Sequence, residues 1–336
     1  MASHPARLAC VLALGAIGAI PVTGCKTQQR EDVSRPIPQK STAGTTGPLV
    51  SEATAALDAG NREEALRLLS AAIEQNPELT VAHMMVGDIE REQGNYEGAE
   101  KSYRTAASQE PRNFDAQYYH GLTLHYLNRL GDAIRAYLRA LAIRPDDFDA
   151  NLNLATAYHQ IDEPAQGLPY AERAVTLNPS SGAAHANLGA IYAALGQNED
   201  AVVQYQAAAE LMDLTPELLL NLANALGKLE RYPEMVNTLN AVIEMAPSAA
   251  AYERLGFARF KLREYDAADA DFRKAIELDP RHYPALNGLG VCVLNQYLAG
   301  GRADDGLRKQ AVDLFRQSLR INPRQPKIVE LLTRFG

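Results

Sequence analysis

Three cysteines and seven histidines are the side chains of this 336-residue chain best suited to nucleophilic attack or metal binding, and their spacing supports neither use. The histidines stand at 4, 83, 120, 125, 159, 185 and 282. His120 and His125 are five apart, which on a helix places them on different faces, poor for sharing a metal. No HExxH, GxSxG, phosphate-binding or dinucleotide-binding glycine pattern occurs. Glu63-Glu64 and Asp304-Asp305 are acid pairs, but they fall where helices begin, and carboxylates there complement the positive end of the helix dipole. Cys292, between valines, is a small hydrophobe of the interior, and Cys10 lies in an apolar run. Neither catalysis nor a cofactor or metal is expected.

The informative polar groups are amides. Asn153, Asn187 and Asn221 are 34 residues apart, and an amide presents both the donor and the acceptor that an extended peptide backbone needs. The elements that position them keep the same period. Prolines stand at 77, 111, 145 and 179, again 34 apart, and resume at 247, 280 and 323, with Asp213 where one is missing. A fixed period of this length means a stacked array of one supersecondary unit.

In the unit ending at Pro111, Ala99, Tyr103 and Ala106 mark one face of a helix. Gly94-Asn95 makes a turn before it, and Pro111 stops it. Gly87 sits in the first helix, where glycine costs about 1 kcal/mol against alanine. The reading here is a close approach of the second helix through small facing residues. The pattern recurs at Gly121, Ala133, Tyr137, Ala140 and Pro145, and at Gly256, Ala268, Phe272, Ala275 and Pro280. Gly189, Ala201, Tyr205 and Ala208 keep it too, and Ala65, Leu69, Ala72 and Pro77 mark an earlier unit. The fourth unit departs, with Gly167 for alanine and with Pro164 and Pro169, the latter placed to distort its helix. The sixth has Met235 and Pro233. Pro280 to Pro323 is 43 residues, so the eighth unit is expected to carry a longer loop at Gly300-Gly301 between lengthened helices. Residues 326–335 read as a short helix covering the last unit.

These residues resemble the tetratricopeptide repeat family: Leu-Gly in a first helix, a turn, Ala, Tyr or Phe, and Ala in a second, then Pro. The resemblance implies an all-α solenoid of about eight helix-turn-helix units in a right-handed superhelix, with the array at 51–325 and a capping helix at 326–336. It also implies a concave face lined by the second, fifth, sixth, ninth, twelfth and thirteenth positions of each unit. Those positions hold Tyr118, Tyr119, His125 and Tyr126 in the third unit. Asn153, Thr156, His159 and Gln160 follow in the fourth, and Asn187, Ala190 and Ala193 in the fifth. The sixth supplies Asn221, Asn224 and Lys228, and the seventh Arg254, Phe257, Phe260 and Lys261. Tyrosine is a frequent anchor in interfaces. Lys228, Arg254 and Lys261 are suited to a carboxylate or an acidic segment.

The first fifty residues read as an address. One arginine and no acid precede a run of 13 apolar or small residues at 8–20, too short to span a bilayer but the length of a signal-peptide core. Pro21 breaks it, and Val22-Thr23-Gly24-Cys25 resembles the lipobox of bacterial lipoproteins. That resemblance implies cleavage after Gly24 (a signal peptide at 1–24), lipidation of Cys25 and attachment to the envelope. Lys26 favours the outer membrane weakly over the inner. The stretch 25–50 is polar, with Pro36, Pro38 and Pro48, and reads as a disordered tether. The net charge is −8, or −9 without residues 1–24, which argues against a nucleic-acid partner. The functional expectation is a membrane-anchored scaffold that grips a peptide or protein partner, for assembly of an envelope, secretion or pilus complex. The alternatives are a self-associating envelope protein and a non-catalytic accessory subunit of a glycan or peptidoglycan enzyme.

Overall fold

The computed structural model describes residues 46–336, so the readings of the signal segment, Cys25 and the tether up to residue 45 lie outside the described residues. Among the described residues there are seventeen helices and no strand. None of these helices is long and apolar enough to cross a membrane. The fold divides into two compact units, with described residues 46–196 in one and Gln197–Gly336 in the other.

In the first, α1 (Thr46–Asp58) pairs with α2 (Arg62–Gln75), α3 (Thr80–Glu92) with α4 (Tyr96–Gln109), and α5 (Phe114–Tyr126) with α6 (Leu130–Ile143). Next, α7 (Phe148–Gln160) pairs with α8 (Pro164–Leu177), and α9 (Gly182–Ala194) packs on α8. In the second, α10 (Asn198–Leu211) packs on α11 (Pro216–Lys228), which pairs with α12 (Tyr232–Met245). There α13 (Ala249–Lys261) pairs with α14 (Tyr265–Leu278), α15 (Tyr283–Ala299) with α16 (Asp305–Ile321), and α17 (Pro326–Phe335) packs on α16. Each unit is a stack of antiparallel hairpins.

The period is visible in the backbone. Gly60, Gly94, Asn128, Asp162, Gly196, Glu230 and Arg263 all take positive φ, between 57° and 77°, one residue before the N-cap of the following helix. Within each unit this left-handed residue reverses the chain between the two helices of a hairpin (Gly196 lies at the boundary of the units), and it costs an L-residue about 1–2 kcal/mol. Glu230 and Arg263 are exposed. Glu230→Gly and Arg263→Gly are each expected to raise stability by about 0.5–1 kcal/mol, after the entropy cost of glycine, as read from urea unfolding. Asn61, Asn95, Asn113, Asp147 and Ser181 cap the helices that follow them by accepting a backbone N–H three residues on. A second periodic bond ties hairpin to hairpin. Side chains six residues after a helix-ending proline hold its carbonyl: His83 that of Pro77, Gln117 that of Pro111, Asn151 that of Pro145 and His185 that of Pro179.

Three details differ from the sequence reading. The helix α1 begins at Thr46, so the last five residues assigned to the tether, 46–50, are helical. Pro48 is tolerated in the first turn, and Leu49 and Val50 pack on the cluster around Leu69 and Ile89. The residue facing Gly87 is not small: a Cβ at Gly87 would stand 2.7 Å from the Tyr103 ring, so the glycine makes room for a large one. α8 continues through Pro169 to Leu177. The eighth unit has the longer loop and lengthened helices that its spacing predicts, since α15 and α16 have 17 residues each where α13 and α14 have 13 and 14. The added turns seat the end of the chain. Tyr297, Leu298 and Leu307 join the cluster that Ile328, Leu331 and Phe335 of α17 cover, and Arg308 donates to the Phe335 carbonyl at 2.6 Å.

Candidate functional site

The first helices of successive hairpins lie beside one another in residues 46–196, where α7 contacts both α5 and α9. Three hydrogen bonds cross between them. Asn153 Nδ2 donates to the Tyr118 hydroxyl at 3.0 Å, Asn187 Nδ2 to Thr156 Oγ1 at 2.7 Å, and His125 Nε2 to Gln160 Oε1 at 2.8 Å. With Nε2 as the donor, His125 Nδ1 is left to accept from the Tyr137 hydroxyl at 3.5 Å. Thr156 in turn donates to the Leu152 carbonyl. Asn153 and Asn187 therefore do come to one face, where each amide donates one of its two N–H bonds to the preceding hairpin. Asn187 is 9% exposed, and its Oδ1 is buried with no partner. The same is true of His159 Nδ1. Burial lowers the pKa of His125 and His159, so both imidazoles stay neutral around pH 7.

Aromatic rings extend this face. Tyr118 meets Tyr119 edge-on at 5.2 Å, and Tyr119 stacks on Tyr103 at 5.7 Å with the Arg91 guanidinium 5.4 Å from its ring centre. Tyr126 is 44% exposed and stacks on Tyr96 at 4.8 Å, which fixes it as a rigid outward ring. Burial pushes the Tyr118 hydroxyl well above the ordinary phenol value.

Residues Gln197–Gly336 carry their own first-helix face on α11, α13 and α15. Asn221 is half-buried; Asn224 Oδ1 is buried without a partner. Arg254 has a buried, unpartnered Nη1, and burial lowers its pKa. Phe257 and Phe260 pack on the core cluster of this unit and are partly exposed. Lys261 is exposed, with Nζ 5.6 Å from the Tyr232 ring centre and 5.7 Å from that of Phe257. Lys228 is exposed at the end of α11. Two residues here escape a reading by type and spacing: Glu253, whose carboxyl burial pushes up to about 7, and Asn287, 5% exposed, with its Oδ1 unpartnered. Both stand at the fifth position of a unit, so the repeat register is the signal that finds them.

No group of side chains among the described residues could hold a metal ion. Cys292 is buried, and its thiol is pushed up to about 12, which makes it inert at neutral pH.

A tetratricopeptide repeat model matches residues 50–113, 84–148, 120–164 and 152–217, half of the chain, and two further tetratricopeptide models match 216–248 and 249–282. The chain belongs to the tetratricopeptide repeat family, whose fold is generally a non-catalytic scaffold for protein interaction. Among curated proteins it is similar to anaphase-promoting complex subunit 3 of Schizosaccharomyces pombe, 31% identical over 116 residues, 34% of this chain and 16% of that one. It is also similar to Hsp70-Hsp90 organizing protein 2 of Arabidopsis thaliana, 33% identical over 95 residues, 28% of this chain and 17% of that one. The matched stretch spans about a sixth of the length of these relatives. Among solved structures, the Cut9-Hcn1 hetero-tetramer aligns with a TM-score of 0.51 at 17% identity, covering 86% of this chain and 55% of that one. Pseudomonas aeruginosa pilF aligns at 0.50 and 20% identity, covering 62% and 94%. Both likenesses are of fold.

Proposed function

We propose that this chain is a lipid-anchored scaffold of a bacterial envelope that holds a peptide or protein partner on its first-helix faces during assembly of a larger complex. The observation that carries the reading is the buried Asn187 Oδ1, an acceptor without a donor on a face where the Asn153 and Asn187 amides already bridge successive hairpins. A buried carbonyl left unpaired costs about 1–3 kcal/mol, and a backbone N–H of an extended ligand is a donor of the right size to relieve it. The rigid Tyr126, on α5 of the same unit, is the kind of ring that anchors interfaces. The anchoring half of the proposal rests on Gly24-Cys25 behind its apolar run. An assembly role is consistent with relatives named as an organizing protein and as a complex subunit.

Crosslinking in the native envelope, with partner identification, tests it in three arms. The wild-type chain is expected to sediment with membranes and carry a partner. Cys25→Ser is expected to leave the membrane fraction or remain an unprocessed precursor. Asn153, Asn187 and Asn221 changed together to Ala are expected to keep the anchor and lose the partner. A triple variant that retains every crosslink removes the groove from the proposal, and capture of nothing but a second copy of this chain favours self-association.

A further inference from the structure

We infer that the first-helix face of residues 197–336 is a receptor for an acidic, extended peptide segment of another protein, with a side-chain carboxylate seated on Arg254. The inference rests on the reading of these faces as peptide-binding and adds the chemistry of the ligand.

The two first-helix faces differ in how their charges are matched. On the corresponding face of residues 46–196 the ions are matched. Glu92 pairs with Arg62 at 3.1 Å, Asp115 with Arg144 at 3.6 Å, and Asp88 accepts the Tyr103 hydroxyl beside Arg91. On the face of α11 and α13 the cations are not. Among the described residues, Lys228, Arg254 and Lys261 form no salt bridge, and Arg254 in addition has a buried Nη1 without an acceptor. A guanidinium out of water with an unmet N–H calls for a carboxylate, which it binds with charge-assisted, often paired, hydrogen bonds. Two acids share the face. Glu217 is exposed in the first turn of α11, about 16 Å along the helix from Lys228. Glu253 adjoins Arg254, and its carboxyl, pushed up to about 7, carries only part of a charge at neutral pH. The face is therefore net positive in a chain whose total is −8.

Its geometry suits an extended chain. Lys228 and Lys261 occupy the same register of consecutive units, at the ends of α11 and α13, the helices on either side of α12. The buried Asn224 Oδ1 supplies an acceptor for a backbone N–H, and the partly exposed Phe257 and Phe260 supply a wall for one apolar side chain. The cation–π contacts hold Lys261 in place while leaving its ammonium without an anion.

The test is fluorescence anisotropy of the full-length chain with a labelled 12-residue peptide bearing four aspartates and one phenylalanine. Its controls are the same peptide with asparagines for aspartates, and the aspartate peptide with an amidated C-terminus. The aspartate peptide is expected to bind about ten-fold or more tighter than the asparagine one, with affinity falling as salt rises, and amidation is expected to change nothing. Arg254→Gln should weaken it about ten-fold. Lys228→Ala with Lys261→Ala, both exposed, should weaken it several-fold. Equal binding of the asparagine peptide, or full affinity in both variants, overturns the inference while leaving peptide binding intact. Loss of affinity on amidation assigns the site to a chain terminus and also overturns it. If no peptide of either composition binds, the underlying peptide-binding reading of this face fails instead.

Discussion

Phe272→Ala is expected to cost about 3–5 kcal/mol of stability in residues 197–336, read as a loss of hydrogen-exchange protection in α13, α14 and α15 together. Phe272 is 1% exposed, and its ring fills the space left by two glycines: a Cβ at Gly256 of α13 would stand 3.0 Å from it, and Gly288 of α15 is crowded by it more closely still. One ring thus locks three helices drawn from two successive hairpins. In a stacked array stability is the sum of intrinsic and neighbour terms, so emptying this position removes an intrinsic and an interface contribution at once. The effect should stay within these helices, and equal loss of protection throughout residues 46–336 would contradict it.

The chain itself shows what repairs such a site. Where the first helix has glycine, the second has a ring, as in Gly87 with Tyr103, Gly121 with Tyr137, Gly256 with Phe272 and Gly290 with Phe315. Where the first helix has alanine, the second has something smaller. Ala223 stands opposite Leu239, which keeps the summed volume of the pair. Ala155 stands opposite Ala171, and there Leu188 and Ile191 of α9 complete the cluster.

That pairing also marks the limit of what the sequence discloses. The 34-residue period, the helical hairpins and the final cover helix follow from periodicity and from proline and glycine positions, because these act within one unit. The nature of the contact at Gly87 does not follow, since a glycine admits either a close backbone or a large ring, and the choice lies on another helix. The extra residues at 295–310 are legible as a longer loop between lengthened helices, but their role in seating α17 is not, because that contact lies on another helix. Among the candidate binding residues the register of Asn153, Asn187 and Asn221 is legible. The direction in which each amide is used is not, because it is set by Tyr118 and Thr156 one hairpin away. Charge is legible too. Whether Lys228, Arg254 and Lys261 lack partners is a property of the fold.

The two units should answer acid in opposite senses. In residues 197–336, burial pushes the Glu253 carboxyl up to about 7 from 4.5 and that of Asp271 up to about 6 from 3.8, against the opposing pull of Arg254 and Arg259. Carboxyls raised in this way bind protons in the native state before the unfolded state does. The unfolded chain holds fewer protons between about pH 7 and 4, so stability rises as pH falls through that window and is lost as pH climbs back through the folded values. In residues 46–196 burial lowers His120, His125 and His159 from 6.5. There the unfolded state takes the proton first, so stability falls as pH drops through 6.5. Asp88 and Glu90, raised by burial, oppose that loss only nearer their own ordinary values, and His282 offsets part of the gain in the other unit. Between pH 7.5 and 5.5 the expected change is on the order of 1–3 kcal/mol of added stability for residues 197–336, allowing for the partial exposure of Glu253. Residues 46–196 should lose stability over the same interval. Opening free energies from hydrogen exchange, corrected for intrinsic rates at each pH, separate the two because each helix reports on its own unit. Parallel responses in α5 and α13 would show that the buried carboxyls of the second unit are ionised at little cost. The net positive face around Arg254 would then carry the full charge of Glu253, and acidic peptides would bind it correspondingly more weakly at neutral pH.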